Sequence, residues 1–151
     1  MKFFIALLFV STSALAANSA TLKLRGVVPE VCGVSIAETV DATSIDILLG
    51  EVGVKVATVT ETCNKATGYT ISMSSASGSK LVLGTSQFPY TLAYGKTTYK
   101  TITTIPLVMK TVSSLTTRTV VTSDILFTMV GQINALSGTY VDTVTISIVG
   151  N

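Results

Sequence analysis

The sequence predicts an all-β chain folded as an antiparallel sandwich of immunoglobulin-like type. Three observations carry that prediction. Threonine, serine and valine dominate the composition, the usage of pleated surfaces. Short stretches of alternating apolar and polar residues recur with turn residues about every eight to twelve positions. No stretch shows the period of an amphipathic helix. A barrel is the structural runner-up.

Composition bounds the rest. At 151 residues and 48% hydrophobic, the chain is long enough for one domain with one sizeable core. The net charge is +2 and only 12% of residues are charged, against roughly 25% in an average globular protein. No basic patch invites nucleic acid. Residues 1–16, "MKFFIALLFVSTSALA", carry a lysine, an apolar run from Phe3 to Val10 and an A-x-A ending. They read as a secretory signal peptide, cleaved after Ala16 and at the latest after residue 20. The run is far shorter than the roughly 20 residues of a membrane-spanning helix. Residues 17–151 are then one exported domain. Its two cysteines, Cys32 and Cys63, read as one disulfide of the oxidising compartment.

The elements follow in order. Residues 20–28, "ATLKLRGVV", alternate, with Leu22, Leu24, Gly26 and Val28 on one face. After Pro29 and Glu30, "VCGVSI" resumes the pattern and runs into an acidic loop, "AETVDATS". "IDILL" (45–49) is a short third run. In "VKVATVTETC" (54–63) the apolar phase switches from Val54 and Val56 to Ala57, Val59 and Cys63, which predicts a bulge. "NKATG" is a turn, and "YTISMSSA" reads as the return strand of a hairpin. "KLVLG" and "FPYTLAYG" continue the series, and Pro106 confines any strand between 97 and 118 to an edge. Residues 119–133 place Ile125, Phe127 and Met129 on one face. In the last run, "SGTYVDTVTISIVGN", Tyr140, Asp142, Val144, Ile146 and Ile148 share a face.

Chemistry is sparse. Histidine is absent and the cysteines are expected to be oxidised, so no Ser-His-Asp or Cys-His arrangement can form. Structural zinc would need more Cys and His than the chain has. The carboxylate pairs Asp41 with Asp46 and Glu51 with Glu61 read as solvated surface charge. "GVSIAETVDATSID" lacks the spacing and central glycine of a calcium loop. The expectation is a non-enzyme with no catalytic residues, metal site, cofactor or small-molecule substrate. Tyr69, Tyr90, Tyr94, Tyr99 and Tyr140 could line a sugar-binding surface, but their in-phase spacing favours the sandwich interior.

Three stretches together carry a family resemblance: "LKLRGVVPEVCGVSI", "ATVTETCNKATGYTISMSSA" and the final "SGTYVDTVTISI". In this order and spacing the chain resembles the spore coat protein U domain family, which includes subunits of archaic chaperone-usher pili. "IDILLGEVG" stands where that family commonly has a phenylalanine-glycine pair. The resemblance implies an immunoglobulin-like fold lacking its seventh strand, with the last residues forming strand F beside an open apolar groove. A periplasmic chaperone fills that groove first. At an outer-membrane usher, the N-terminal segment of a neighbouring copy or related subunit replaces it, giving an extracellular fimbrium. Carried onto this sequence, Leu22, Leu24, Gly26 and Val28 would be the donor positions. Val144, Ile146 and Ile148 would floor the acceptor groove. "LKLRGVV" could equally be the chain's own first strand. The other readings are a monomeric coat protein and a carbohydrate-binding adhesin module.

Overall fold

The computed structural model describes residues 19–151. The signal-peptide reading of residues 1–16 lies outside them. Eight strands make two antiparallel sheets: β1 Cys32–Glu38, β2 Gly50–Cys63, β3 Tyr69–Ser75, β4 Lys80–Leu83, β5 Ser86–Tyr94, β6 Leu107–Val112, β7 Thr119–Val130 and β8 Val144–Gly150. One sheet has the order β1-β2-β7-β5-β4 and the other β6-β3-β8. In immunoglobulin terms β1-β2-β7-β5 matches A-B-E-D, and β3-β8 matches C-F. Tyr140, just before β8, donates its hydroxyl to the carbonyl of Leu136 at 3.1 Å. A tyrosine bonded back to the backbone at the start of strand F is a mark of this architecture.

The inward phases of the strands supply the core: Val59, Ile71, Met73, Leu92, Ile125, Phe127, Met129 and Ile146 are buried. The disulfide joins Cys32 to Cys63, which are directly opposite in the β1–β2 ladder. It fits an oxidising, extracytoplasmic compartment. No helix of the described residues is long and apolar enough to cross a membrane.

The register shifts between Val52 and Val54 and between Lys55 and Ala57, so the bulge lies where the apolar phase switches. Val56 and Ala57 are consequently both buried. Pro106 immediately precedes β6, an edge strand as expected. Three expectations need correction. β3 does not form a hairpin with β2: the turn at Asn64–Gly68 carries the chain into the other sheet, where β3 pairs with β6 and β8. Alternation reports which face is buried and cannot distinguish a return within a sheet from a crossing between sheets. "IDILL" is no strand, because the Asp46 carboxylate accepts from Leu49 N at 2.9 Å and Asp46 O from Gly50 N at 2.9 Å, closing a turn. Residues 20–28 are not the chain's own first strand. From 19 to 31 the chain is exposed and outside both sheets.

Candidate functional site: an apolar groove and an unpaired arm

β1 and β8 are edges of different sheets and run in opposite directions along the same side of the sandwich. At one end they are drawn together. Lys65 Nζ lies 3.4 Å from Gly150 O and 3.2 Å from the Glu30 carboxylate. Toward Glu38 and Val144 they part and leave a cleft of about 300 Å³. Its floor is Tyr90, Leu92, Ile125 and Phe127; Ile36 and Val56 form one wall, Val144 and Ile146 the other. Ala42 and Ile45, in and just after the short 3-10 turn Val40–Thr43, stand at the mouth with Leu81.

Val144 and Ile146 therefore line the cleft as the sequence suggested. Ile148 packs against the core and is not part of the lining. Among the described residues no strand lies on the outer side of β8. Alternate amides and carbonyls of that strand point away from β3 with no other strand to pair them, only Gly150 O being met by Lys65, an open edge.

The mouth has a polar post. Asp142 accepts from Ser75 Oγ at 2.5 Å, Tyr90 OH at 2.6 Å, Thr143 N at 2.7 Å and Ser77 N at 3.0 Å. Burial alone would raise its pKa, but these hydrogen bonds outweigh that and hold the carboxyl below its ordinary value. Burial, and then the Asp142 bond, push the Tyr90 hydroxyl up, so it stays a donor. The aspartate of "GTYVD" thus fixes the loop from which β8 starts.

The arm is the counterpart. Leu22 and Leu24 are 81% and 86% exposed, and Val28 is equally open to solvent. Gly26 has open space around it. The root is held by Asn64, which donates Nδ2 to Pro29 O at 2.9 Å and accepts at Oδ1 from Val31 N at 2.7 Å, and by the Lys65–Glu30 ion pair at 3.2 Å. No protein-family model matches the chain, and no curated protein matches it. The geometry of arm and groove therefore carries the functional argument.

A second constellation departs from the sequence expectation. Glu61 is not surface charge. It sits between Val59 and Cys63 in the inward phase of β2, with no exposed side-chain surface. Its carboxylate accepts from Tyr69 OH at 2.6 Å, Tyr94 OH at 2.7 Å, Lys110 Nζ at 2.7 Å and Ser123 Oγ at 2.9 Å. Burial pushes its pKa up, and the Lys110, Tyr69, Tyr94 and Ser123 bonds together bring it below the ordinary value. Since Tyr94 and Ser123 belong to one sheet and Tyr69 and Lys110 to the other, the carboxylate ties the two layers together. A glutamate in an otherwise apolar phase, near inward tyrosines that need acceptors, was the available signal. Tyr69, Tyr90, Tyr94 and Tyr140 are all buried, which removes them from any sugar-binding surface. Glu51 and Glu61 do not meet, since they stand at opposite ends of β2, and Glu51 instead accepts from Asp46 N at 3.2 Å.

Proposed function

We infer that the protein is a structural subunit of an exported surface fibre, polymerising by strand donation. Residues 20–28 of one copy lie along β8 of the next and place Leu22 and Leu24 in its groove. The observation that carries this reading is the coincidence, in one chain, of an apolar groove beside an open strand edge and an exposed arm alternating in the phase such a groove accepts. Main-chain hydrogen bonds supply affinity and alternate side chains supply specificity. Burying two leucines contributes about 3 to 6 kcal/mol per joint before the ladder is counted. Because arm and groove are different surfaces, the contact is heterologous and does not close, which yields a fibre. Before assembly the groove leaves its walls at Ile36 and Val144 and the free edge of β8 open to solvent, so it requires a temporary occupant. A periplasmic chaperone, with an outer-membrane usher as the site of exchange, fits that requirement and the family resemblance. The resulting fimbrium serves adhesion or biofilm formation.

Deletion of residues 17–25 tests this directly. The truncated chain should still be recovered with its chaperone but should give no polymers by electron microscopy or in unheated SDS gels. Polymers that persist without the arm would sink the reading.

A further inference from the structure

We propose that successive copies also meet body to body: an acidic-rimmed apolar knob at the groove-mouth pole of one seats against the mixed apolar and basic cleft at the arm-root pole of the next. This rests on the fibre reading and adds a contact that donation itself does not require.

The knob is conspicuous. Leu48, Leu49, Val52, Val130 and Ile133 are each between 53% and 85% exposed. They are neighbours, because Gly50 pairs with Val130, Val52 with Thr128, and Gln132 N donates to Ile47 O at 2.8 Å. A contiguous cluster of five large aliphatics in water marks an interaction surface. The cleft lies at the opposite pole, a hollow of about 510 Å³ where Val31, Ala66 and Leu115 supply apolar surface beside Thr116, Thr117 and Arg118.

Two further observations select a second copy as the occupant. The first is direction. At the end where β1 and β8 converge, Lys65, Glu30 and Asn64 already hold the root of the receiving copy's own arm. An incoming arm therefore enters with its body at the open mouth, running antiparallel to β8. Residues 29–31 can then tether the donor's body no farther than about 10 Å from that mouth. Its arm-root pole is brought to the knob by the covalent chain. The second is charge. Residues 38–54 hold Glu38, Asp41, Asp46 and Glu51 with no lysine or arginine. The arm-root pole presents Arg118, and the arm carries Lys23 and Arg25. An acidic rim meets a basic one, which fixes orientation.

The test compares fibres from cells expressing the whole locus with wild type, Leu49→Asp, Glu51→Lys, Arg118→Glu or the Glu51→Lys/Arg118→Glu pair. Leu49 is exposed and Glu51 is half-buried with Asp46 N on its carboxylate, so unchanged thermal melting of the chaperone-bound subunits serves as the folding control. Leu49→Asp should leave fibres long but lower their persistence length at least twofold by electron microscopy. Each charge reversal should do the same. The pair should restore stiffness, because in a heterologous contact the exchanged charges of adjoining copies again face each other with opposite sign. Fibres of unaltered stiffness in all variants would overturn the body contact and leave strand donation standing. Reduced recovery of the chaperone complex with stiffness unchanged would assign the knob to the chaperone, also overturning it. Polymers that persist without residues 17–25 would instead remove the fibre reading beneath it.

Discussion

Replacing Glu61 with glutamine isolates the charge that ties the two sheets. The substitution conserves volume, so the loss is electrostatic. Lys110 loses its partner at 2.7 Å, and an amide nitrogen is brought toward hydroxyls that already donate. Removing one partner of a buried pair costs about 3 to 5 kcal/mol. Here the lysine side chain keeps 28% of its exposure while the glutamate has none, so Lys110 can recover some hydration. The lower end, about 3 kcal/mol, is the expectation for Gln. Glu61→Ala should reach about 5 kcal/mol, since it also leaves the Tyr69 and Tyr94 hydroxyls without an acceptor. With a urea slope of about 2 kcal/mol/M, Glu61→Gln should lower the midpoint by about 1.5 M, followed by far-UV circular dichroism with the disulfide intact. A loss under about 0.5 kcal/mol would refute the assignment of Glu61 as a tie and leave it a tolerated polar residue.

Other expectations follow from the same contacts. Glu61 and Asp142 both have folded pKa values below their ordinary ones, so their contribution is present above the ordinary carboxylate range. It is lost as pH falls below about 4.5, when the unfolded chain takes up protons first. Tyr69, Tyr90 and Tyr94 are shifted up, so stability should also decline above about pH 10, where the unfolded chain loses protons first. Urea midpoints across pH would show both limbs; Glu61→Gln should flatten the acidic one down to the Asp142 share and weaken the alkaline one in part, because the Glu61 carboxylate adds to burial in raising Tyr69 and Tyr94. Within the arm, Leu24→Asp should abolish polymers while Lys23→Asp, in the opposite phase, leaves them; equal effects on SDS-resistant polymer would contradict the groove-facing phase. Asn64→Ala removes the two side-chain bonds to Pro29 and Val31 at the arm root, leaving the Lys65–Glu30 ion pair, and should increase the monomeric fraction after assembly, read by unheated SDS gels.

What is legible in the sequence is periodicity and what it reports, which is burial. The inward phases of β3, β5, β7 and β8 are readable because a sandwich interior must be apolar at alternate positions. Even the β2 bulge declares itself through a phase switch. Partnership is not legible. The crossing of β3 to the second sheet, and the gap left beside β8, depend on which strands neighbour one another over long sequence separations. Glu61 escapes a sequence reading for a related reason: a glutamate is usually solvated, and only the convergence of β3, β5, β6 and β7 supplies its donors. In the site, Val144 and Ile146 are readable from alternation, but Ala42, Ile45 and Leu81 at the mouth come from a loop and a distant strand and carry no pattern.

The arrangement raises the question of why a chain with a groove and a matching arm does not fill its own groove. Tethering gives an intramolecular segment an effective concentration in the millimolar range for short linkers, provided the geometry permits engagement. Here the geometry opposes it. The arm joins β1 at the end where the groove is closed, so insertion at home would require a reversal within residues 29–31 and would run the arm parallel to β8. A neighbour's arm enters from the mouth and runs antiparallel, the pairing with the better hydrogen-bond ladder. Pro29 restricts the backbone at the reversal point, and Asn64 bonds both the carbonyl of residue 29 and the amide of residue 31, which fixes the chain there. The closed alternative is thus disfavoured at its hinge rather than in the groove. On the strand-donation reading, the groove itself then needs no feature that rejects "LKLRGVV", and it stays available to the arm of another copy.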